Sequence, residues 1–333
     1  MLRALPILIA LTVLLIVVAP TRSEATGPSP IRPVSTYSIV ALDPDTGQLG
    51  VAVQSHWFSV GAMVPWARAG IGAVATQSLV DPSYGPLGLE LMAAGKSATQ
   101  TLEALTTADA HPEIRQVGMV DADGNVAVHT GSNCIPEAGH RTGENYTVQA
   151  NLMANDTVPD AMAEAFESAE GDLAARMLRA LEAAQQAGGD IRGKQSAAIL
   201  VVSGEVTGRS WQDTVVDLRV EDHAEPLAEL GRLLTIHRGY AKMNEGDLAI
   251  EEDDLQAAEA AYGAAQEILG DNLEASYWYA VALCNAGEID RAVEVFHRVF
   301  EAGDNWRVLT PRLLDGGFLV ADEATLERIL GKE

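Results

Sequence analysis

Lysine is nearly missing from this chain: it occurs four times in 333 residues, and every other basic residue is arginine. Aspartate and glutamate outnumber lysine and arginine 47 to 22, for a formal charge of -25 at pH 7. A surface so short of positive charge is repelled by nucleic acid and by anionic membranes, which excludes both as partners. Cysteine is as scarce. Cys134 and Cys284 cannot make a disulfide framework, so a buried apolar core must hold the fold. Cys134 stands in Gly-Ser-Asn-Cys with no neighbouring base and reads as structural; Cys284 reads as a small core residue on a patterned helix. The seven histidines are scattered and none falls in an HxxxH or HExxH spacing, so neither a metal nor a cofactor is expected. The Ala-Gly-Ile-Gly run at 69–72 lacks the spacing and the lysine of a phosphate loop, and no GxSxG elbow occurs. After residue 25 no apolar run is long enough to span a bilayer.

The first 25 residues have the pattern of an export signal. Arg3 is a short positive head, Ala4 to Pro20 is almost wholly apolar, and Ser23 and Ala25 occupy the -3 and -1 positions of a small-x-small cleavage site. The chain is therefore expected outside the cytoplasm, periplasmic or extracellular, with no stable membrane insertion once the signal is removed; an uncleaved anchor is the rival. Residues 1–25 carry a net +1, so the mature chain stands at -26. Such a surface suits a salty medium, where screening relieves self-repulsion, or belongs to an ordinary acidic exported protein.

Residues 26–34 hold three prolines and read as a linker. Pattern then appears abruptly. Thr36–Leu42 and Gln48–Gln54 are β-rich runs around Asp43-Pro44-Asp45-Thr46-Gly47, a hairpin, and Ile71–Gln77 is a third strand. Two helices follow, the first ending at Gly95 and the second opening on the capping box Ser97–Gln100. Strands come next at Gln116–Val120, Val126–His129 and Thr147–Leu152, then helices from Pro159 and from Gly171 to Ala187, then the apolar strand Gln195–Ser203. This order predicts an α/β domain over 35–205 built as a four-layer αββα sandwich, because two sheets between two helix layers bury every apolar face.

The remainder, 212–333, has another periodicity. Gly246, Ala258, Tyr262 and Ala265 recur 34 residues later as Ala280, Ala292, Phe296 and Val299. That period resembles the tetratricopeptide repeat, with Gly287 at the turn where the first copy has Asp253. The spacing predicts an all-α helical-repeat domain of two hairpins and a last helix over Leu313–Leu330. Two copies fall below the usual minimum of about three, so the tail must cap itself or lean on the α/β domain.

A threonine opening the first hairpin strand, followed by this order of elements, points to an N-terminal-nucleophile hydrolase. There the chain's own α-amine, with a pKa of about 7.7–8.0, is the base for the adjacent hydroxyl. The segments STYSIVALDPDTGQLGVAVQS, VGAMVPWARAGIGAVATQS, DPSYGPLGLELMAAG, AGHRTGENYTVQANLM and GGDIRGKQSAAILVV resemble the bacterial family catalogued as domain of unknown function 1028. The resemblance covers about Ser35 to Ser203. It implies the N-terminal-nucleophile hydrolase fold, and for the tail a peptidoglycan-binding region, although the 34-residue period argues equally for a protein-binding repeat.

Within the resemblance Thr36 matches the nucleophile. Gln54 falls where proteasome-like relatives place an acid, and Arg68 near their basic residue, whose charge would lower the nucleophile's pKa. Thr76 and Gln77 would offer N–H groups to an oxyanion. Ser55, His56, His129, Arg141 and Asn151 are expected to line a substrate pocket with His140, Gln149 and Gln195, and Arg141 is the best anion site among them. The bland alternative for Thr36 is a first-strand threonine without chemistry. Two functions follow: an exported amidohydrolase acting on a small amide or peptide-like substrate, or a non-catalytic binder of cell-wall fragments or of a protein partner through the repeat tail. The first needs a cut between Ser35 and Thr36, ten residues beyond the signal cleavage site.

Overall fold

β-branched residues on either side of a tight turn start the fold. The computed structural model describes residues 33–34, 36–252 and 254–331. The expected signal, most of the linker, Ser35 and the turn position Asp253 lie outside the described residues. β1 (Pro33–Val34) and β2 (Thr36–Leu42) precede β3 (Leu49–Ser55). The Asp43 carboxylate organises the turn between β2 and β3, accepting from the Asp45 amide at 3.2 Å and the Thr46 hydroxyl at 2.9 Å, while Gly47 takes φ +69°. A second hairpin follows, β4 (Pro65–Arg68) and β5 (Gly72–Leu79), then α1 (Tyr84–Ala93) and α2 (Ala98–Ala108). The capping box at Ser97 forms as read, with Ser97 and Gln100 exchanging side-chain-to-amide bonds. β6 (Arg115–Asp121), β7 (Val126–Thr130), β8 (Gly139–Gly143) and β9 (Tyr146–Ala150) lead to α3 (Val158–Ser168), α4 (Leu173–Gln186), β10 (Ser196–Val202) and β11 (Thr214–Val220).

These strands make two antiparallel sheets. One has the order β1-β5-β6-β7, with β4 also on β5; the other runs β11-β10-β3-β2-β9-β8. Helices α1 and α2 bury Leu89, Met92 and Leu102 against Val74 and Met119 of the first sheet. Helices α3 and α4 set Met162, Phe166, Met177 and Leu181 against Tyr37 and Ile39 of the second. The αββα sandwich is thus present. The space between its sheets is divided: Val40, Val51, Val53, Ala73 and Ala75 fill one part, and Ser38, Gln77, Gln116, Gln149 and Asn151, all fully buried, fill another.

The second sheet does not close at residue 205. β11 pairs along β10, with Val216 and Val220 buried and Asp217 and Arg219 outward, so the helical part begins at 226 and not at 212. It comprises α5 (Pro226–Glu251), α6 (Leu255–Leu269), α7 (Leu273–Asn285), α8 (Ile289–Ala302), α9 (Asp304–Asp315) and α10 (Glu323–Leu330). α5–α6 and α7–α8 are the two expected hairpins. Gly246 lets the first of them close: a Cβ there would stand 2.8 Å from the Tyr262 ring on α6. The single last helix expected over 313–330 is instead two, broken at Gly316-Gly317. The connecting chain is tied to α7 by Asn285, which donates to the Phe318 carbonyl at 3.0 Å and accepts from the Val320 amide at 2.8 Å.

α5 belongs to both parts. Leu227, Leu230 and Leu234 join the core formed by α4, β10 and β11, while Met243 and Ala249 pack with Ala258, Tyr262 and Ala265 of α6. Arg238 adds an exposed ion pair to Asp172, the N-cap of α4. The two-copy repeat therefore leans on the sandwich, as its brevity requires. Among the described residues no helix is long and apolar enough to cross a membrane.

Candidate functional site

Thr36 opens β2 at the end of the second sheet. It is in register with Ser55 on β3, and Ser55 with Ser196 on β10, so three hydroxyl residues lie side by side on the face turned to the other sheet. All three are fully buried. Immediately upstream, β1 pairs with the other sheet, Pro33 against Leu79 and Val34 against Ser78. Val34 therefore belongs to one sheet and Thr36 to the other, on either side of the region where the hydrolase reading requires a cut.

The Thr36 carbonyl is held from two sides. It accepts from the Asn151 amide at 3.1 Å and from Gln77 Nε2 at 3.3 Å. Gln77 Nε2 also donates to Gln116 Oε1 at 2.8 Å, and Gln77 Oε1 accepts from Ser38 Oγ at 2.6 Å. Gln149 Nε2 donates to Ser38 Oγ at 2.6 Å, and Asn151 Nδ2 to Gln116 Oε1 at 2.9 Å. Gln116 Nε2 in turn reaches the Ala150 carbonyl at 2.9 Å and Thr130 Oγ1 at 2.9 Å. This web of amides and hydroxyls joins β2 and β9 to β5 and β6. Its members bear no charge, and in a dry space each bond is stronger than it would be in water. Asn151 Oδ1 is the exception, a buried acceptor with no donor among the described residues.

The other expected catalytic groups do not converge on Thr36. Gln54 pairs across the ladder with Tyr37 and so faces the α4 layer, the opposite side of the sheet from Thr36. It is fully buried, and neither of its amide atoms has a partner among the described residues. Arg68 lies opposite Gly72, five residues along β5 from Gln77, or about 17 Å of strand. It is exposed and ion-paired to Glu90 at 2.6 Å. At that range it cannot lower the pKa of Thr36. The Thr76 amide already donates to the Val64 carbonyl at 3.2 Å, and its hydroxyl to the Asp81 carbonyl at 3.0 Å. Of the oxyanion pair, Gln77 alone touches Thr36, through its side chain.

The pocket residues divide similarly. Ser55 and Asn151 lie beside Thr36. The His56 amide donates to the buried Asp190 carboxylate at 3.3 Å, and His56 Nδ1 is buried without a partner. His129 Nε2 bonds the Pro112 carbonyl at 2.7 Å and holds a loop. His140 Nδ1 meets Thr130 Oγ1 at 2.9 Å, and burial, then the charge of Arg141, lowers its pKa. Arg141 is not a free anion site, since it forms an ion pair with Asp160 on α3. Gln195 Nε2 donates to Asp222 at 3.2 Å on the surface. Cys134 donates to the Arg115 carbonyl at 3.3 Å, and burial raises its thiol pKa, consistent with a structural role. No group of three His, Cys, Asp or Glu among the described residues could hold a metal.

A second site was missed in the sequence. Between α5 and α7 lies a groove of about 570 Å3. Its walls carry the rings of Tyr240, Tyr262, Trp278 and Phe318. Three carboxylates, Asp247, Glu251 and Glu274, share it, and among the described residues no lysine, arginine or histidine lines it. Tyr240 donates to Glu274 at 2.7 Å and Tyr262 donates to Asp247. Tyr262 stands in the 34-residue recurrence, but that period carries no sign of the carboxylates and of the other rings that α5, α7 and Phe318 bring beside it.

The sequence profile described as a family of unknown function, DUF1028, matches residues 36–230, and a tetratricopeptide-repeat profile matches residues 249–309. A solved structure of a DUF1028 protein from Silicibacter pomeroyi is similar, with a TM-score of 0.55 and 29% identity; the match covers 65% of this chain and 92% of that one. No curated protein matches the chain.

Proposed function

This chain belongs to the DUF1028 family of unknown function, and from that premise we propose that, with the residues before Thr36 attached, it is an exported binding protein whose sandwich presents a repeat groove to a protein partner. The observation that carries this reading is the failure of the expected catalytic groups to meet. Gln54 faces away from Thr36, Arg68 is remote and neutralised by Glu90, and the Thr36 carbonyl is clamped by Gln77 and Asn151. A threonine hydroxyl that no base activates is a weak nucleophile near neutral pH. The chain purified from its host should have a mass that places its first residue upstream of Thr36, and it should not hydrolyse amide or peptide substrates. A photo-reactive residue at Trp278 should cross-link a protein in the exported fraction. Turnover that Thr36→Ala abolishes would overturn the reading, and so would cross-links to cell-wall fragments alone.

One observation favours the amidohydrolase alternative. Asn151 Oδ1 is a buried acceptor without a donor among the described residues, and its residue bonds the Thr36 carbonyl. A chain beginning at Thr36 would carry an α-amine at this end of β2, with a pKa of about 7.7–8.0 suited to taking a proton from the hydroxyl. N-terminal sequencing of the active species separates the two readings: a start at Thr36 selects the hydrolase.

A further inference from the structure

We propose that the groove between α5 and α7 accepts a cationic segment of the partner protein, with an arginine or lysine side chain entering among the rings and an apolar neighbour covering Phe318. This rests on the binding reading above and specifies the partner's chemistry.

Charge complementarity carries the inference. Three carboxylates elsewhere in the tail are answered by arginines of the same chain: Glu259 by Arg291, Asp290 by Arg328, Asp304 by Arg307. Among the described residues, none of the three groove carboxylates is answered so. Glu274 and Asp247 are met there by tyrosine hydroxyls and by no cation, so their direction is fixed without their charge being cancelled. Those hydroxyls remain donors, because burial and the adjacent carboxylate push the Tyr262 pKa well up, and the bond to Glu274 raises that of Tyr240. A guanidinium or ammonium brought here would meet preset negative charge and aromatic faces together. Met243, Ile250, Val281 and Ala282 add apolar wall beside Asn244 and Asn285, and that apolar part lowers the local dielectric and strengthens the attraction.

The size and rim indicate a segment more than a free ion. A volume of about 570 Å3 is within the range of side-chain and ligand pockets. Phe318 at its edge is 66% exposed, an apolar surface that a lone cation would leave uncovered. An acidic or phosphorylated segment would be repelled by the same carboxylates.

The test uses the full chain and three fluorescent peptides of one length: alternating arginine and leucine, the same with glutamine for arginine, and the same with glutamate. The arginine peptide should bind saturably and the glutamate peptide should not. Asp247→Asn with Glu274→Gln should weaken the arginine peptide by about tenfold or more. Glu294→Gln with Glu301→Gln, which removes the same charge from exposed positions on α8, should leave its affinity nearly unchanged. Trp278→Leu should weaken binding while keeping both charges, and circular dichroism should report each variant as folded. Equal weakening by the two charge-matched pairs would mean diffuse attraction to an acidic protein and would overturn the proposal. Equally damaging would be arginine methyl ester binding as tightly as the peptide, or no peptide binding at all. If the glutamine or glutamate peptide binds best and Trp278→Leu abolishes that binding, the partner chemistry falls while the binding reading stands.

Discussion

Gly118, on β6, sets how closely the two sheets approach. A Cβ there would stand 2.4 Å from Gln149 Oε1. Gln149 cannot swing aside, because it is fully buried, donates to Ser38 and accepts from Thr147. Gly118→Ala should therefore lower stability by about 1–3 kcal/mol in denaturant melts, and an unchanged midpoint would show that the web is slack. Gln54 predicts the opposite sign. Both its amide atoms are buried without partners among the described residues, a penalty of about 1–3 kcal/mol each, so Gln54→Met should raise the midpoint. A loss on that substitution would mean that the amide is used. The web has no titrating member, but His140 sits at its rim on Thr130. Burial lowers its pKa from the ordinary 6.5, so the unfolded chain binds this proton more readily than the folded one. Stability should then fall as the pH drops below about 6.5, and His140→Gln should flatten that part of the melting profile. Only fragments of this were legible in the sequence. Thr36, Ser55 and Asn151 were placed together by family likeness. The likeness could not say that Gln54 faces the other layer, since that depends on the register of β3 against β2. Nor could it show that Gln116, unremarked at the start of a strand, would be a hub of the web.

Elements with their own periodicity were readable and elements made by their neighbours were not. The runs TYSIVAL and SAAILVV announce buried strands, and both are. GHRTG has two glycines and no apolar side chain, and it becomes strand β8 because β9 offers it a ladder. PWAR, four residues with a proline, becomes β4 only by pairing with β5. β11 was readable, since Val216, Leu218 and Val220 alternate with Asp217 and Arg219, but the helical part was expected to begin at 212 and the strand fell inside it. α5 carries the most consequence among the helices. Its first half completes the sandwich core and its second half starts the repeat, so the two should melt together. His237→Pro removes a backbone bond at mid-helix and costs about 3 kcal/mol or more. Calorimetry of that variant should split one transition into two. A single unshifted transition would mean that the halves were never coupled.

At the scale of the whole molecule, charge is the dominant long-range force. The mature chain expected from signal cleavage carries -26, and residues 212–333 alone hold 26 acidic and 10 basic residues. Exposed pairs such as Arg238–Asp172 contribute about 0–1 kcal/mol each and weaken in salt, whereas the repulsion they oppose is screened by it. Melting temperature should consequently rise from low to molar salt; a flat or falling profile would leave an ordinary acidic protein and remove the case for a saline habitat. The unbroken α5 also acts as an indexing shaft. Its 26 residues keep one continuous helical phase, in which each residue advances about 100° and 1.5 Å. One residue inserted between Leu234 and Met243 would leave both ends packed on their own cores, yet would swing the groove to another compass bearing around the sandwich. Seven residues would nearly restore the bearing and carry the groove about 10 Å outward. The direction in which this protein presents its groove is thus counted out in residues along one helix.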